Sequence, residues 1–116
     1  MKIENLKSVI IGPPTCYLYV VCRVTEGIKS RVLFRAQPCE PYSDDNDLIR
    51  AVEDEVPVTW IIDCIGGGQM CFYQDIKTIK LWGKSFEYGK EPDRQQTIKL
   101  LQEAYPDFQV TEKSDD

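Results

Sequence analysis

The feature that most constrains the fold of this chain is a run of three glycines, Gly66, Gly67 and Gly68, set between two apolar stretches. Consecutive glycines lower the stability of regular structure. Chains tolerate them where the backbone needs positive φ, a sharp reversal or close approach of another segment. The simplest interpretation is a hairpin loop between two strands. Successive free N–H groups in such a loop are also suited to bind an anion.

The length and composition predict one domain, residues 1–116, with an acidic tail from about residue 112. The chain is 42% hydrophobic and 28% charged, which is typical of a globular protein. Its formal net charge of −5 argues against nucleic-acid binding. No apolar run approaches the roughly 20 residues that cross a bilayer, so we expect no membrane insertion. The start of the sequence resembles neither a signal peptide nor a transit peptide, and we expect a cytoplasmic or otherwise intracellular protein.

The cysteines predict free thiols rather than a disulfide framework or a metal site. There are five of them and no CxxC pair: Cys16, Cys22, Cys39, Cys64 and Cys71. An odd number without a secretion signal favours reduced, mostly buried and inert thiols. The chain contains no histidine, so a zinc site is not supported and we expect no cofactor.

Hydrophobic periodicity and turn residues predict three strands, a helix, three strands, a helix and an optional edge strand. The strands are predicted at residues 7–11, 16–24, 31–36, 58–64, 69–73, 77–82 and 108–111. The first helix begins in the cap-rich residues 43–47 and ends at Pro57, and the second has Pro92 in its first turn and stops at Pro106. The pattern favours the α/β class: a single domain with a mixed sheet of about six strands flanked by two helices.

Three motifs in the second half of the chain resemble the Janus/Ocnus family, which includes the eukaryotic protein-histidine phosphatase. They read Cys-Ile-Gly-Gly-Gly at 64–68, Trp-Gly-Lys-Ser-Phe-Glu-Tyr-Gly at 82–89 and Tyr-Pro-Asp-Phe-Gln-Val at 105–110. The resemblance implies a mixed sheet with two helices and metal-independent hydrolysis of phosphohistidine or phospholysine. In the family, a histidine ahead of the first helix acts as base or nucleophile. Basic side chains and a helix N-terminus hold the phosphoryl group.

Position by position, the resemblance implies that this pocket has lost its reactive groups. The family's catalytic histidine corresponds to Ser43, Asp44 or Asp45, depending on one gap in the comparison. The family's lysine on an early strand corresponds to Leu18, and the arginine after the glycines corresponds to Gln69. Aspartates at the first helix would also repel a phosphate.

The remaining pocket positions that the resemblance implies include charged, polar and glycine residues. A small family residue after the serine corresponds to Glu87, and a second family histidine falls near Asp93 or Arg94. The remnants of a phosphate pocket are Arg35, Gly66, Gly67, Gly68, Gln69, Ser85 and Glu87.

Three hypotheses follow. The first is a degenerate family member, a pseudoenzyme that works as a binding or structural module or as a subunit of a complex with a protein partner. The second is an active phosphatase that uses a substitute residue, with Cys39 and Asp44 as candidates. The third is a pocket adapted to a cationic ligand, which Glu87 and the aspartates motivate. Aromatic candidates for a partner surface, unless they simply pack in the core or a loop, are Trp82, Phe86 and Tyr88.

Overall fold

A six-stranded mixed sheet with two α-helices forms the described part of the chain, residues 2–11, 16–38 and 45–113 of a computed structural model. The strands are β1 (Val9–Ile10), β2 (Cys16–Glu26), β3 (Lys29–Pro38), β4 (Ile61–Tyr73), β5 (Thr78–Trp82) and β6 (Gln109–Glu112). The helices are α1 (Asp45–Glu55) and α2 (Arg94–Ala104). The strand order is β1-β3-β2-β4-β5-β6, in which β1 and β6 run parallel to their neighbours and the other pairs are antiparallel. The predicted fold class is confirmed.

The two helices lie on opposite faces of the sheet, because side chains alternate between the faces along each strand. On β2, Val20, Cys22 and Val24 pack with Leu48 and Val52 of α1, on what we call the α1 face. Tyr19 and Val21, which alternate with these residues along β2, pack in the cluster that contains Leu101 of α2, on the α2 face. Neither helix is long and apolar enough to span a membrane, in the part of the chain that the structure describes.

The glycine run lies in the middle of β4, so the hairpin interpretation was wrong. β4 is one strand of 13 residues, and it replaces the two strands predicted at 58–64 and 69–73. It pairs with β2 over most of its length, from Cys71 opposite Cys16 to Ile61 opposite Thr25. The register shifts between Val21 and Cys22, where β4 contributes one extra residue. Long-range pairing thus overrides the local preference of glycine for a turn.

Most other element boundaries follow the turn and cap residues. Gly27, with φ of 59°, turns the chain between β2 and β3, and the predicted hairpin between β4 and β5 is present. Helix α2 begins at Arg94 after the cap residue Asp93, whose side chain accepts a hydrogen bond from the Gln96 N–H at 3.3 Å. Pro92 therefore precedes the cap, whereas the sequence had predicted it in the first helical turn.

Two of the five cysteines form a disulfide, which corrects the prediction of free thiols for this pair. Cys16 and Cys71 lie opposite each other on β2 and β4, with Cα atoms 4.1 Å apart and a bond between their sulfurs. Their separation of 55 residues in the sequence conceals this contact, which the strand register creates. Cys22 and Cys64 are not disulfide-bonded, and Cys39 lies outside the described residues.

Candidate functional site

We call β4 the glycine strand, because it contains the three glycines. Its middle is covered by residues 83–90, a segment that we call the serine loop. The Ser85 N–H donates to the Gly67 carbonyl oxygen at 3.1 Å, and the Gly67 N–H donates to the Gly89 carbonyl oxygen at 2.9 Å. Gly67 faces Val20 of β2 on its other side. The serine loop therefore takes the place of a neighbouring strand at this point, and the Ser85 side chain is buried there.

Hydrogen bonds within the serine loop fix its shape. The Gly89 N–H donates to the Ser85 carbonyl oxygen at 2.9 Å, and the Tyr88 N–H donates to Ser85 Oγ at 3.0 Å. The Tyr88 hydroxyl donates to Oδ1 of Asn46 at 2.7 Å, which joins the loop to the first turn of α1. At the tip, Phe86 is 96% exposed and Glu87 is exposed as well. The loop thus presents an aromatic side chain on a constrained backbone.

Absence of side chains at the glycines permits the chain to pack this closely. Gly66 has φ of 147°, which disfavours any residue with a Cβ atom. A Cβ atom at Gly66 would also collide with the backbone nitrogen of Glu91, and one at Gly68 would lie 2.7 Å from the Trp82 carbonyl oxygen. Gly66 and Gly68 thus allow close approach of the segment from Trp82 to Glu91, whereas a Cβ atom at Gly67 would collide with the Tyr19 carbonyl oxygen of β2.

Leu18 and Gln69, which the resemblance aligns with the family's two phosphate-binding cations, are brought together. They lie opposite each other on β2 and β4, and Gln69 also faces Trp82 of β5. Gln69 lies beside Gly83, where an added Cβ atom would be 3.4 Å from the Gln69 Oε1. Both side chains are half-buried and uncharged. This part of the α1 face can donate and accept hydrogen bonds through Gln69, but these two side chains supply no positive charge to a phosphate.

Arg35 belongs to a different cluster from the other predicted remnants. Its guanidinium makes a two-point ion pair with Glu55 at the end of α1, with distances of 2.7 Å from Nε and 2.8 Å from Nη2. It also donates to the carbonyl oxygens of Lys7, Ser8 and Phe34. Lys7 and Ser8 precede β1, on the side of β3 away from the glycines. The buried guanidinium thus faces away from the serine loop and joins α1 to the sheet.

The predicted positions of the catalytic histidine are only partly described. Asp45 is the first residue of α1, whereas Ser43 and Asp44 lie outside the described residues. Of the three predicted surface aromatics, Phe86 is exposed, while Trp82 and Tyr88 are half-buried. No cluster of three potential metal ligands occurs among residues 2–11, 16–38 and 45–113.

A buried polar cluster on the α2 face was not predicted from the sequence. Glu91 is 2% exposed, and its carboxylate accepts hydrogen bonds from the Tyr19 hydroxyl and from Thr97 Oγ1, each at 2.8 Å. Arg94, which is 4% exposed, forms an ion pair with Glu91 at 2.9 Å and reaches Glu112 at 3.1 Å. Nη2 of Arg94 further donates to the carbonyl oxygens of Gly67 and Gly83 at 3.2 and 2.7 Å. The cluster joins β2, β4, β6, α2 and the serine loop.

The electrostatics of this cluster favour an ionised Glu91–Arg94 pair beside a neutral tyrosine. Burial and the adjacent Glu91 carboxylate hold the pKa of Tyr19 well above its usual range. Burial, the largest single influence, lowers the pKa of Arg94, but the hydrogen bond to Glu91 and the nearby Tyr19, Glu91 and Glu112 together outweigh it, so that pKa is raised. The hydrogen bond from Lys90, together with Arg94, lowers the pKa of Glu112. These groups stabilise one another, so the cluster is suited to a structural role, in which it holds the serine loop and α2 against the sheet.

One signal in the sequence could have pointed to the cluster. Arg94 stands in the first turn of a helix, where the positive end of the helix dipole disfavours a cation. Such a cation is tolerated when acidic partners surround it. Glu91 is three residues away, but Tyr19 and Glu91 are 72 residues apart, so the complete set cannot be read from sequence spacing.

Comparison with known protein families identifies a match over most of the chain. The Ocnus model, which describes the Janus/Ocnus family, matches residues 3–109. The matched range contains the glycine strand, the serine loop and both helices. A search of curated proteins finds no match.

Proposed function

The chain belongs to the Janus/Ocnus family, and from this premise we propose that it is a non-catalytic member that binds a protein partner through its serine loop. The observation that carries the proposal is the pairing of Leu18 with Gln69 in a chain that has no histidine. Phosphohistidine hydrolysis requires a base that titrates near neutral pH and cations or N–H groups that stabilise the phosphoryl oxygens. The base is missing from the sequence, and the two implied cation positions are uncharged.

The serine loop supports the binding part of the proposal. Its backbone is held to Gly67 and to α1, and Phe86 projects from it with 96% of its surface exposed. Aromatic side chains are frequent anchors of protein interfaces, and a pre-ordered loop loses little conformational entropy on binding. Glu87 next to Phe86 adds a negative charge. A partner with an apolar pocket flanked by Lys or Arg would match this surface.

Enzyme assays test whether catalysis is lost. The purified protein is incubated with a phosphohistidine peptide in EDTA, beside an Asp44→His variant that reintroduces an imidazole at one candidate position. We expect no turnover by the parent above the rate in buffer. Clear turnover would overturn the proposal and support the substitute-residue hypothesis. In that case Asp44→Asn or Cys39→Ser should abolish the activity, which identifies the residue responsible.

A matched pair of surface variants tests the binding surface. Phe86→Ala removes the proposed anchor, and Ile76→Ala removes a 63% exposed apolar side chain from the turn between β4 and β5. Proteins captured from a cell extract by the parent are quantified against both variants. We expect at least one specific partner that Ile76→Ala retains and Phe86→Ala loses about tenfold or more. Equal capture by the two variants would contradict the assignment of the surface.

Titration with a basic peptide separates this proposal from a pocket for cationic ligands. Calorimetry with a Lys-rich peptide that lacks apolar residues should show no binding if the Phe86 anchor is essential. Salt-dependent binding that Glu87→Gln abolishes would instead favour the cationic-ligand hypothesis. An intracellular location remains part of the proposal, and fractionation of cells with an antibody to the native chain would check it.

A further inference from the structure

The ladder between β2 and β4 contains two pairs of facing cysteines. Cys16 faces Cys71, and this pair is a disulfide. Cys22 faces Cys64 six residues further along β2, and neither of these two cysteines belongs to a disulfide. Cys22 and Cys64 pack in the hydrophobic cluster under α1, so their side chains project from the same face of the two strands.

The second pair has the placement that a disulfide requires. Residues directly opposite in an antiparallel pair have Cα atoms about 4.5–5.5 Å apart, within the range that disulfides span. The two cysteines pack in the same cluster under α1, and the Cys64 thiol donates to the Gly66 carbonyl oxygen at 3.8 Å. Cys22 is fully buried, whereas Cys64 is half-buried and therefore accessible to a small reagent. The bonded pair shows that these two strands accommodate a cross-strand disulfide.

We propose that Cys22 and Cys64 are a redox modification site, at which a small disulfide of the glutathione type oxidises the two thiols to a second cross-strand disulfide. This inference does not depend on the function proposed above. It rests on the strand register, on the packing of both cysteines in one cluster and on the difference in exposure between them.

The reaction proceeds by two exchanges that balance. Cys64 loses its proton to solvent, its sulfur attacks one sulfur of the small disulfide, and the other half leaves as a thiolate that takes up a proton. Cys22 then loses its proton and attacks the Cys64 sulfur, which expels the second small thiol. Two protein thiols are oxidised and one small disulfide is reduced to two thiols. The hydrogen bond with Cys64 and burial raise the pKa of Cys22, which suits it to the second step rather than to the first.

Oxidation would fix the irregular part of the ladder beside the glycine run. The register shift between Val21 and Cys22 lies directly next to the pair, and Gly66 packs on the backbone of Glu91 there. A bond between Cys22 and Cys64 would hold β2 and β4 together on the side of the shift opposite to Cys16–Cys71. Because the first disulfide already restrains the same strands, the gain in thermal stability should be smaller than the loss on removing Cys16–Cys71.

Redox titration of the folded full-length protein tests the proposal. The native protein is equilibrated in buffers of increasing ratio of oxidised to reduced glutathione, quenched with acid, alkylated and mapped by mass spectrometry. We expect a peptide pair linked through Cys22 and Cys64, beside the Cys16–Cys71 pair, that a mild dithiol reductant reopens. The thermal unfolding midpoint should rise in parallel with this linkage.

Three variants separate the specific disulfide from other oxidation. Cys64→Ser should abolish the second linkage, and Cys22→Ala provides an independent check if either variant folds poorly. Cys39→Ser should leave the linkage unchanged. The proposal is overturned if Cys64 pairs with Cys39 or if the reaction at Cys64 stops at a stable adduct with glutathione. It is also overturned if both thiols of the parent stay reduced in the most oxidising buffer.

Discussion

The two faces of β4 differ in the charged side chains that lie on them. On the α1 face, the positions beside the serine loop that correspond to the family's cations are occupied by Leu18 and Gln69. On the α2 face of the same strand segment, the ionised groups Glu91 and Arg94 are almost completely buried and hydrogen-bonded to each other. On the α1 face, the two positions that the resemblance implies for cations are uncharged, whereas the α2 face holds a buried ion pair.

This difference shows where the structural constraints on the glycine strand lie. Arg94 donates to the carbonyl oxygens of Gly67 and Gly83, so it holds the strand and the serine loop in position from the α2 side. The arrangement on the α2 face does not depend on the α1-face residues that a phosphatase would need. The framework of the site therefore forms without cations at Leu18 and Gln69, and under the proposed function it presents Phe86.

Removal of Glu91 should give the largest effect on stability. In Glu91→Ala, the Arg94 guanidinium stays buried with only Glu112 and two carbonyl oxygens as partners. Breaking one side of a buried ion pair typically costs about 3–5 kcal/mol. Equilibrium unfolding in urea measures this loss, and Glu87→Ala on the exposed loop should change stability by less than about 0.5 kcal/mol. Similar losses in the two variants would refute the contrast between the faces.

Substitution of Gly66 should give the next largest effect. Gly66→Ala adds a Cβ atom at positive φ and pushes it against the Glu91 backbone, so we expect a loss of about 3 kcal/mol. Gly27→Ala is the matched control, because Gly27 also has positive φ but no atom lies within 4 Å of an added Cβ. That variant should lose only about 1 kcal/mol from backbone strain. If both variants lose equally, packing against Glu91 contributes nothing.

The sequence predicted the fold more completely than it predicted the site. The apolar run at residues 16–24, the cap-rich residues 43–47 and the stop at Pro106 are local signals, and the elements that depend on them, β2, α1 and α2, were confirmed. The glycine run was misassigned because a turn and a tightly packed central strand place the same demand on glycine. Only the pairing of β4 with β2 distinguishes them, and that pairing is not local.

The unpredicted interactions share one physical origin. The Cys16–Cys71 bond and the Tyr19–Glu91 hydrogen bond join residues 55 and 72 positions apart. Each depends on strand register, which hydrophobic patterns define only to the correct face. The uncharged character of Leu18 and Gln69 could be read from the sequence, but their direct pairing required the structure.

A charge returned to the α1 face should be tolerated. Gln69 is half-buried beside Gly83, and an arginine there can extend its guanidinium toward solvent. We expect Gln69→Arg to change stability by less than about 1 kcal/mol and to strengthen the binding of inorganic phosphate, measured by NMR titration. Gln69→Met, which is of similar size and uncharged, is the control for phosphate binding. A loss as large as that of Glu91→Ala would mean that the α1 face is as constrained as the α2 face.

The smallest predicted effect is a shift in acid stability at the margin of the buried cluster. The hydrogen bond from Lys90 and the nearby Arg94 hold the pKa of Glu112 below its usual range. The folded protein therefore binds a proton at Glu112 less readily than the unfolded chain does. The resulting stability is present above a pH of about 4.5 and is lost as the pH falls through the folded-state pKa.

Glu112→Gln removes this contribution, so the stability of the variant should fall less steeply than that of the parent between about pH 5 and pH 3. Urea unfolding at several pH values measures the two slopes, and Glu103→Gln on the exposed side of α2 should keep the slope of the parent. High salt should reduce the difference, because Glu112 is only partly shielded from water. If the two slopes are equal, Glu112 is not coupled to the buried charges, and the cluster on the α2 face ends at Glu91 and Arg94.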